Sequence, residues 1–448
     1  MVVRPRIGPK TTHDGKGSRI CLAFRSGRRE VCGLVSSNPT ILKVATPAGD
    51  QPRIARGARF WRVNFALFLG SFATFAMLYC VQPLMPLFAR AFSISPAAAS
   101  LSLSAATGVL AVAMIFAGTL SDVFGRKAVM TASLAAAAAA TLAASLSSDW
   151  TTFVALRALT GLALSGVPAV AMAYLVEEMD RSAIGLAMGL YIAGNTLGGM
   201  GGRLATAAIA EVGGWRGAVA LVGLISLGCA TAFAFALPKE RRLAGKAQAT
   251  PFLPTIRLHF SDEGLRYLFA IGFLLMGAFV TTYNYIGFRL EALPFSLNPT
   301  TIGLVYCIYL VGAVASALIG ELAGRYGRRR VIGFAIAFMP IGVILTLPDN
   351  LWLTIIGVGV ITIGFFGGHS IASSWVGLRA ESGKAQASAL YLFFYYAGSS
   401  LAGSIGGWVF TLGAWPGEAA FVGAMSALAL LIALKLARVP PPAHLRPS

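Results

Sequence analysis

The chain has 448 residues, of which 56% are hydrophobic and 12% are charged. Soluble domains have about 25% charged residues, so the composition excludes an ordinary soluble domain. It predicts an all-α membrane protein, because the long apolar runs do not alternate as the strands of a membrane barrel would. The net charge of +19 is spread between these runs rather than gathered on one soluble face, which argues against a nucleic-acid partner.

The N-terminal segment, residues 1–58, is basic and punctuated by glycine and proline. It lacks a run of about 20 apolar residues, the length that a spanning helix needs. Its longest apolar stretch, residues 20–24, is too short for the core of a signal peptide. We expect a disordered cytoplasmic tail that could be held at anionic headgroups; the alternative is that the true start lies later in the sequence.

Apolar runs of spanning length then recur along the chain. The predicted spans are 62–82, 99–120, 128–147, 152–174, 184–210, 217–237, 267–289, 301–321, 331–348, 351–375, 386–411 and 419–437. The first six form an N-terminal bundle in residues 59–237, and the last six form a C-terminal bundle in residues 267–437. Residues 238–266 form a cytoplasmic linker between the bundles, and residues 438–448 form a cytoplasmic tail.

The distribution of basic residues predicts the orientation of these spans. Only Arg90, Arg216 and Arg289 fall in the loops assigned to the outside. The basic residues assigned to inside loops include Arg126, Lys127, Lys239, Arg241, Arg242, Lys246, Arg325, Arg328, Arg329 and Arg330. The positive-inside rule therefore places both termini in the cytoplasm.

A charged turn occurs once in each half, between the second and third span of each bundle. Its residues are Gly118, Asp122, Gly125, Arg126 and Lys127 in the first copy, and Gly320, Gly327, Arg328 and Arg329 in the second. Gly324 stands where the second copy would have its aspartate. Residues 193–197 and 213–217 also match residues 397–401 and 413–417, so three matches in register indicate a duplicated six-helix unit.

The charged turn resembles the G-x-L-a-D-r-x-G-r-r motif of the major facilitator superfamily. Residues 78–83, 189–195, 199–203 and 369–375 are further similar to bacterial inner-membrane transport proteins that are placed with proton-coupled exporters of drugs and small molecules. The resemblance implies twelve transmembrane helices in two pseudo-symmetric six-helix bundles. It also implies a multi-pass protein of the bacterial cytoplasmic membrane that transports a small molecule by alternating access.

The resemblance implies a gating role for the charged turns. In that fold the Asp122 end of span 2 meets the start of span 11, where a helix N-terminus stabilises an aspartate by about 0.3–1 kcal/mol, or about 2 kcal/mol if partly buried. Gly324 has no carboxylate to interact with the start of span 5. We therefore predict asymmetric gating, in which the contact between spans 2 and 11 is the stronger one at the cytoplasmic side. The alternative is that these basic turns only set the orientation of the spans.

Small residues recur at helical spacing in several spans. The positions that we predict at helix interfaces are Gly194, Gly198, Gly202, Gly398 and Gly406. Such faces let helices approach closely in lipid, and the family fold pairs span 5 with 8 and span 2 with 11, so we expect them at the boundary between the halves. A weaker face on span 2 contains Ser104 and Gly108. Ordinary close packing is the alternative.

Three residues within spans are candidates for substrate binding or proton coupling: Arg157, Arg203 and His369. An arginine inside a span is costly unless it faces a cavity or snorkels to the interface, and histidine titrates near neutral pH. The candidate cavity walls, each of which could equally be packing, are Tyr79, Gln82, Asn195, Tyr283, Asn284, Tyr395 and Tyr396. We find no acidic residue deep in a span, which favours a neutral or anionic substrate.

Other classes of protein lack support in the sequence. Residues 377–384 have one residue too many for a nucleotide-binding loop, so we expect no nucleotide partner and a drive from the proton gradient. The cysteines have no metal-ligand spacing, and no nucleophile–base pair indicates an enzyme. We expect a monomer in the lipid bilayer that exports a small molecule. An importer or uniporter of a neutral or anionic solute, and a non-transporting receptor, remain alternatives.

Overall fold

The computed structural model describes residues 10–14, 17–22, 31–34, 54–180, 182–239, 252–440 and 442. Two compact units divide the chain, residues 1–52 and residues 53–448. The predicted tail lies mostly in the first unit and the predicted bundles lie in the second. Much of the predicted tail, residues 240–251 of the predicted linker and most of residues 441–448 fall outside the described residues.

The first unit contains a small antiparallel sheet. Its strands are β1 (Lys10–Asp14), β2 (Gly17–Leu22) and β3 (Val31–Leu34), in the order β1-β2-β3. Within these three strands the structure differs from the disorder that we predicted for residues 1–58. Each strand contains at least one β-branched residue, a type that favours the extended backbone.

The second unit is helical. Its helices are α1 (Ala58–Tyr79), α2 (Met85–Ala91), α3 (Pro96–Phe124), α4 (Arg126–Ser145), α5 (Trp150–Leu164), α6 (Pro168–Glu178), α7 (Ile184–Ala236), α8 (Phe252–Ser261), α9 (Glu263–Glu291), α10 (Pro299–Val305), α11 (Tyr309–Tyr326), α12 (Arg328–Leu345), α13 (Leu351–Arg379) and α14 (Lys384–Arg438). Short 3₁₀ turns at Gln82–Leu84 and Tyr306–Ile308 continue α1 into α2 and α10 into α11. Helix α8 lies inside the predicted linker.

By length and apolar composition, the described residues contain nine candidate spans. Two of them, α7 and α14, have 53 and 55 residues and would be about 80 Å long, whereas a bilayer core is about 30 Å thick. Each is interrupted by a non-helical residue, Gly214 or Ala414. If α7 and α14 are each counted as two spans, the nine candidates become eleven. The twelfth predicted span corresponds to α12, which has three arginines in its first turn.

The duplication predicted from sequence is visible in the backbone. Gly125 and Gly327, which end α3 and α11, have φ/ψ values of 92°/144° and 89°/134°. The breaks in α7 and α14 have φ/ψ values of 60°/−175° at Gly214 and 46°/−147° at Ala414. Glycine adopts such positive φ values without strain, so Ala414 is the exception.

The spans alternate in direction, which gives the bundle two ends. We call the end with Gly125 and Gly327 the motif end, and the end with Gly214 and Ala414 the distal end. The motif end is the one that the sequence predicts to be cytoplasmic. Asp262 caps α9 at the motif end by accepting a 2.7 Å hydrogen bond from the Leu265 amide, and Asn298 caps α10 at the distal end by accepting one of 2.8 Å from the Thr301 amide.

The glycine faces lie at helix contacts, but not at those predicted. A Cβ on Gly198 would lie 2.1 Å from the carbonyl oxygen of Phe72 in α1, and one on Gly398 would lie 2.1 Å from that of Phe273 in α9. Gly194 and Gly202 also face α1, and Gly406 faces α9. These contacts are within one half, so the expected position between the halves is wrong. Small residues indicate close approach without indicating which neighbour approaches.

Candidate functional site: a buried arginine between the halves

The span 2 face, which has the least regular spacing of small residues in the sequence, is the one that meets the other half. Ser400 of α14 donates a 2.7 Å hydrogen bond to the Ser104 carbonyl of α3, and a Cβ on Gly108 would lie 2.7 Å from the Ser400 hydroxyl. Nearer the distal end, a Cβ on Gly407 would lie 2.5 Å from Ala97 Cα. The two halves are therefore in close contact through α3 and α14 from the middle to the distal end.

Arg203 of α7 lies fully buried at this boundary. Its Nε donates to Gln82 Oε1 at 2.6 Å, its Nη1 to the Gly199 carbonyl at 2.6 Å, and its Nη2 to Tyr309 Oη at 2.8 Å. Gln82 follows α1 in the first half, whereas Tyr309 begins α11 in the second. The guanidinium therefore joins the two halves by direct hydrogen bonds.

Aromatic rings, rather than acids, surround this charge. The guanidinium carbon lies 4.4 Å from the ring centres of both Tyr79 and Tyr309, and 5.5 Å from that of Tyr306. Within the described part of the chain, no carboxylate forms an ion pair with Arg203. Ring faces attract a desolvated cation by about 2 kcal/mol, so the site holds a buried positive charge that is stabilised without an anion.

A second polar bridge extends from the same glutamine. Gln82 Nε2 donates a 2.7 Å hydrogen bond to Asn284 Oδ1 on α9, and the neighbouring Tyr283 hydroxyl shares a 2.8 Å hydrogen bond with Thr362 of α13. Asn284 Nδ2 and Asn195 Oδ1 are buried with no hydrogen-bond partner in the described residues. An unsatisfied buried polar atom costs about 1–3 kcal/mol, so these two atoms are candidates for contact with a polar ligand.

His369 lies in an aromatic cluster of α13 and α14. Its Nδ1 is 2.9 Å from the Tyr391 hydroxyl. Its ring centre lies 5.8 Å from that of Phe365 and 4.6 Å from that of Tyr395, which in turn contacts Tyr396 at 5.1 Å. The structure thus groups the predicted residues His369, Tyr395 and Tyr396, all within the second half.

Arg157 does not face a cavity, contrary to our prediction. It is fully buried, and its Nε, Nη1 and Nη2 donate to the carbonyls of Ser102 at 2.8 Å, Met77 at 2.9 Å and Leu78 at 2.7 Å. Met77 and Leu78 belong to the last turn of α1, whose carbonyls lack partners within the helix. Arg157 therefore caps α1 and attaches α5 to α1 and α3.

The first charged turn makes its contacts within the first half. Arg126 pairs with Glu177 at 2.5 Å and lies 3.7 Å from Asp122, and Lys127 Nζ donates to the Leu237 carbonyl just after α7. The Asp122 side chain is 67% exposed, and no hydrogen bond or ion pair to α14 is found for it among the described residues. The predicted contact of Asp122 with the start of span 11 is absent from this conformation.

The second charged turn repeats one of these contacts. Arg329 Nη2 donates a 2.5 Å hydrogen bond to the Val439 carbonyl just after α14, as Lys127 does to Leu237. Arg325 pairs with Glu321 at 2.6 Å on the exposed surface of α11. Each turn therefore attaches the third span of its half to the end of the sixth.

Sequence reasoning missed several residues of the site. Tyr306 and Tyr309 are three residues apart on one helical face, a spacing that could have identified them as a pair. It also missed Glu418, which is 1% exposed in α14 with an unpartnered Oε1. Glu418 begins the last span after Pro416, where it resembles an ordinary helix start, so it is a buried acid near the end of a span rather than deep inside one.

Comparison with known proteins identifies the family. A model described as Major Facilitator Superfamily matches residues 67–293 and 290–448. Inner membrane transport protein YnfM of Escherichia coli (strain K12) is 45% identical over 388 residues, which cover 86% of this chain and 93% of YnfM. The uncharacterized MFS-type transporter YybF of Bacillus subtilis (strain 168) is 43% identical over 380 residues, which cover 85% of this chain and 94% of YybF.

Solved structures share the fold at low sequence identity. A bacterial homologue of the human lysosomal transporter Spinster, in an inward-facing and unoccupied conformation, aligns with a TM-score of 0.72 and 14% identity over 86% of this chain and 98% of its own. The nucleoside transporter NupG, as a D323A mutant, aligns with a TM-score of 0.70 and 14% identity over 84% of this chain and 99% of its own. At this level of sequence identity, these similarities show a shared fold.

Proposed function

The chain belongs to the major facilitator superfamily of membrane transporters, and from that premise we propose that it exports a small neutral or anionic solute in exchange for protons. The observation that supports this proposal most directly is Arg203, a buried cation without an acidic partner in the described residues, held between the two halves. The proposal has three parts: alternating access, substrate charge and proton coupling.

Alternating access is proposed from the distribution of contacts between the halves. Arg90 pairs with Glu291 at 2.7 Å at the distal end, and the Thr300 amide donates a 3.1 Å hydrogen bond to Glu211 there. Each contact joins one half to the other. If the motif end is cytoplasmic, this conformation is closed to the outside, and outward opening requires these contacts and those of Arg203 to break.

The charge of the substrate is proposed from the charge of the site. At an effective dielectric constant of about 20, a cation some 6 Å from Arg203 would be repelled by about 3 kcal/mol. An anion would gain a similar amount, and a neutral solute with acceptor atoms could use the free hydrogens of Asn284 Nδ2. A ligand that replaced Gln82 or Tyr309 as a partner of Arg203 would also loosen the contact between the halves.

Proton coupling is proposed for His369, which lies in the aromatic cluster near the middle of the second half and is hydrogen-bonded to Tyr391. Histidine is the side chain that most readily exchanges a proton near neutral pH. The direction of transport, export, is proposed from the resemblance of residues 78–83, 189–195, 199–203 and 369–375 to proton-coupled exporters.

Inverted membrane vesicles test the proposal. The vesicles contain the parent protein, Arg203→Gln, His369→Gln or the control Arg330→Gln, which changes an exposed arginine of α12. A pH gradient is imposed across the membrane, and neutral, anionic and cationic compounds are then added. We expect neutral or anionic compounds to collapse the gradient with the parent and the control only. Collapse by cations alone would overturn the substrate class, and labelled-solute exchange without proton movement would overturn the coupling.

A further inference from the structure

A groove of about 430 Å³ opens near the motif end between α8, α9 and α14. Eight of the nine residues that line it are apolar, and the ninth is Arg266. Phe269 and Phe394 stack across it with ring centres 5.6 Å apart and planes 10° apart, while Phe260 of α8 meets both rings edge-on at 5.9 and 6.1 Å. The walls are thus fixed by ring contacts, and the space between them lacks a protein side chain.

The groove faces lipid. Leu401, Ile405 and Trp408 follow Phe394 by 7, 11 and 14 residues, so they share its face of α14. They are 55%, 50% and 65% exposed, and large apolar side chains exposed on a spanning helix contact acyl chains. Along α9, the lining runs from Arg266 to Leu274, about 12 Å at 1.5 Å per residue, which suits the part of an acyl chain nearest the headgroup.

Arg266 differs in its contacts from its counterpart in the first half. Arg62 is 204 residues earlier, the same interval that separates Gly194 from Gly398. Arg62 donates to the carbonyls of Ala236 at 2.7 Å and Phe235 at 3.3 Å, at the end of α7. Arg266 is exposed, and its side chain has no hydrogen bond or ion pair in the described residues.

Lys435 adds a second positive charge in the last turn of α14. It follows Leu428 by 7 residues and Ile432 by 3, so it lies on the groove face of α14, closer to the motif end. Its side chain is exposed. Two cations therefore lie at the membrane-surface end of an apolar groove, the arrangement by which basic residues between spans bind acidic lipid headgroups.

We propose that the groove binds one anionic phospholipid from the leaflet at the motif end. An acyl chain lies between Phe269, Phe394 and Leu428, and the headgroup phosphate is held by Arg266 and Lys435. The lipid would join α8, which leads into the second half, to α9 and α14. This site is separate from Arg203, and it does not depend on what the protein transports.

Lipid retention tests the proposal. The parent protein and the variants Arg266→Gln, Arg266→Lys and Arg330→Gln, the last of which is the control, are purified in detergent. Each is incubated with phosphatidylglycerol or with phosphatidylcholine of the same acyl chains, and the bound lipid is measured by native mass spectrometry. One basic residue near the surface contributes about 1 kcal/mol to binding of acidic lipid, or about fivefold. We expect Arg266→Gln to retain about fivefold less phosphatidylglycerol, and the other two variants to match the parent.

A variant of the groove tests the position of the acyl chain. Ala270→Phe fills the space while leaving Arg266 and Lys435 in place, and we expect it to lose bound phosphatidylglycerol. Unchanged retention by a monodisperse Ala270→Phe protein would overturn the site. The lipid site would also be overturned if the parent retained the two lipids equally, or if Arg266→Gln and Arg330→Gln lost phosphatidylglycerol equally. These two comparisons test the site even if Ala270→Phe does not fold.

Discussion

The distal end joins the two halves to each other, whereas the motif end joins each half to itself. At the distal end, Arg90 pairs with Glu291 across the boundary. At the motif end, the ion pairs of the described residues, such as Arg126 with Glu177 and Arg379 with Asp262, stay within one half. On the proposal of alternating access, this difference predicts that the halves separate at the motif end while each keeps its own ion pairs.

The largest predicted effect concerns the arginine that joins the halves near the middle. Arg203→Leu leaves Gln82 Oε1 and Tyr309 Oη without a donor, so we expect a loss of about 2–4 kcal/mol of stability together with loss of transport. Thermal unfolding in detergent and the vesicle assay measure the two effects. Arg157→Leu should destabilise comparably, because three backbone carbonyls lose their donor.

These two arginines also separate structure from selectivity. The contacts of Arg157 are all to the backbone within the first half, so any transport that remains in a weakened variant such as Arg157→Lys should keep the parent's preference among neutral, anionic and cationic compounds. Arg203→Lys should change that preference. A changed preference in Arg157→Lys alone would reverse the two roles.

The next effect concerns the break in α14 at the distal end. Ala414 has a φ of 46° and a ψ of −147°, a region that costs a residue with a side chain about 1–3 kcal/mol. We expect Ala414→Gly to stabilise the protein by about 1 kcal/mol, and Gly214→Ala at the equivalent break to destabilise it by a similar amount. Thermal unfolding of both variants checks the pair, and effects of the same sign would contradict it.

A smaller effect is expected from the exposed ion pair at the distal end. Arg90→Glu should weaken closure by two- to fivefold, since exposed pairs contribute up to about 1 kcal/mol. The measurement is the rate at which a membrane-impermeant maleimide, added at the distal side, labels a cysteine introduced at Ser104. Arg90→Glu with Glu291→Arg should restore the slow rate, and failure to do so would show that the pair does not contribute to closure.

The smallest effect concerns pH at the motif end. His259 of α8 is buried against Gly383, and burial lowers its pKa, although a hydrogen bond with the Gly383 backbone and the charge of Asp262 oppose this. The pKa of His259 in the folded protein lies below its unfolded value of about 6.5. The stability that burial of the neutral His259 contributes is therefore present above pH 6.5 and is lost as the pH falls. Hydrogen exchange in residues 252–261, divided by the intrinsic rate at each pH, should therefore rise at pH 5.5, but not in His259→Gln.

The sequence predicted the features that depend on local chemistry. Long apolar runs predicted the spans, and glycines at 125 and 327 predicted two equivalent turns, which the structure confirms in their dihedral angles. It did not predict partners distant in sequence. Arg157 and Arg203 look alike as arginines in spans, but the acceptors of Arg157 are 55 to 80 residues away, and nothing local indicates that they are backbone carbonyls.

Lys127 and Arg329 close their halves in the same way. Each connects the third span of a half to the carbonyl just beyond the sixth, at Leu237 or Val439. The third and sixth spans of each half are therefore fastened to each other by one basic residue at the motif end, whereas the contacts between the halves are made by other residues, such as Arg203, Ser400 and Arg90.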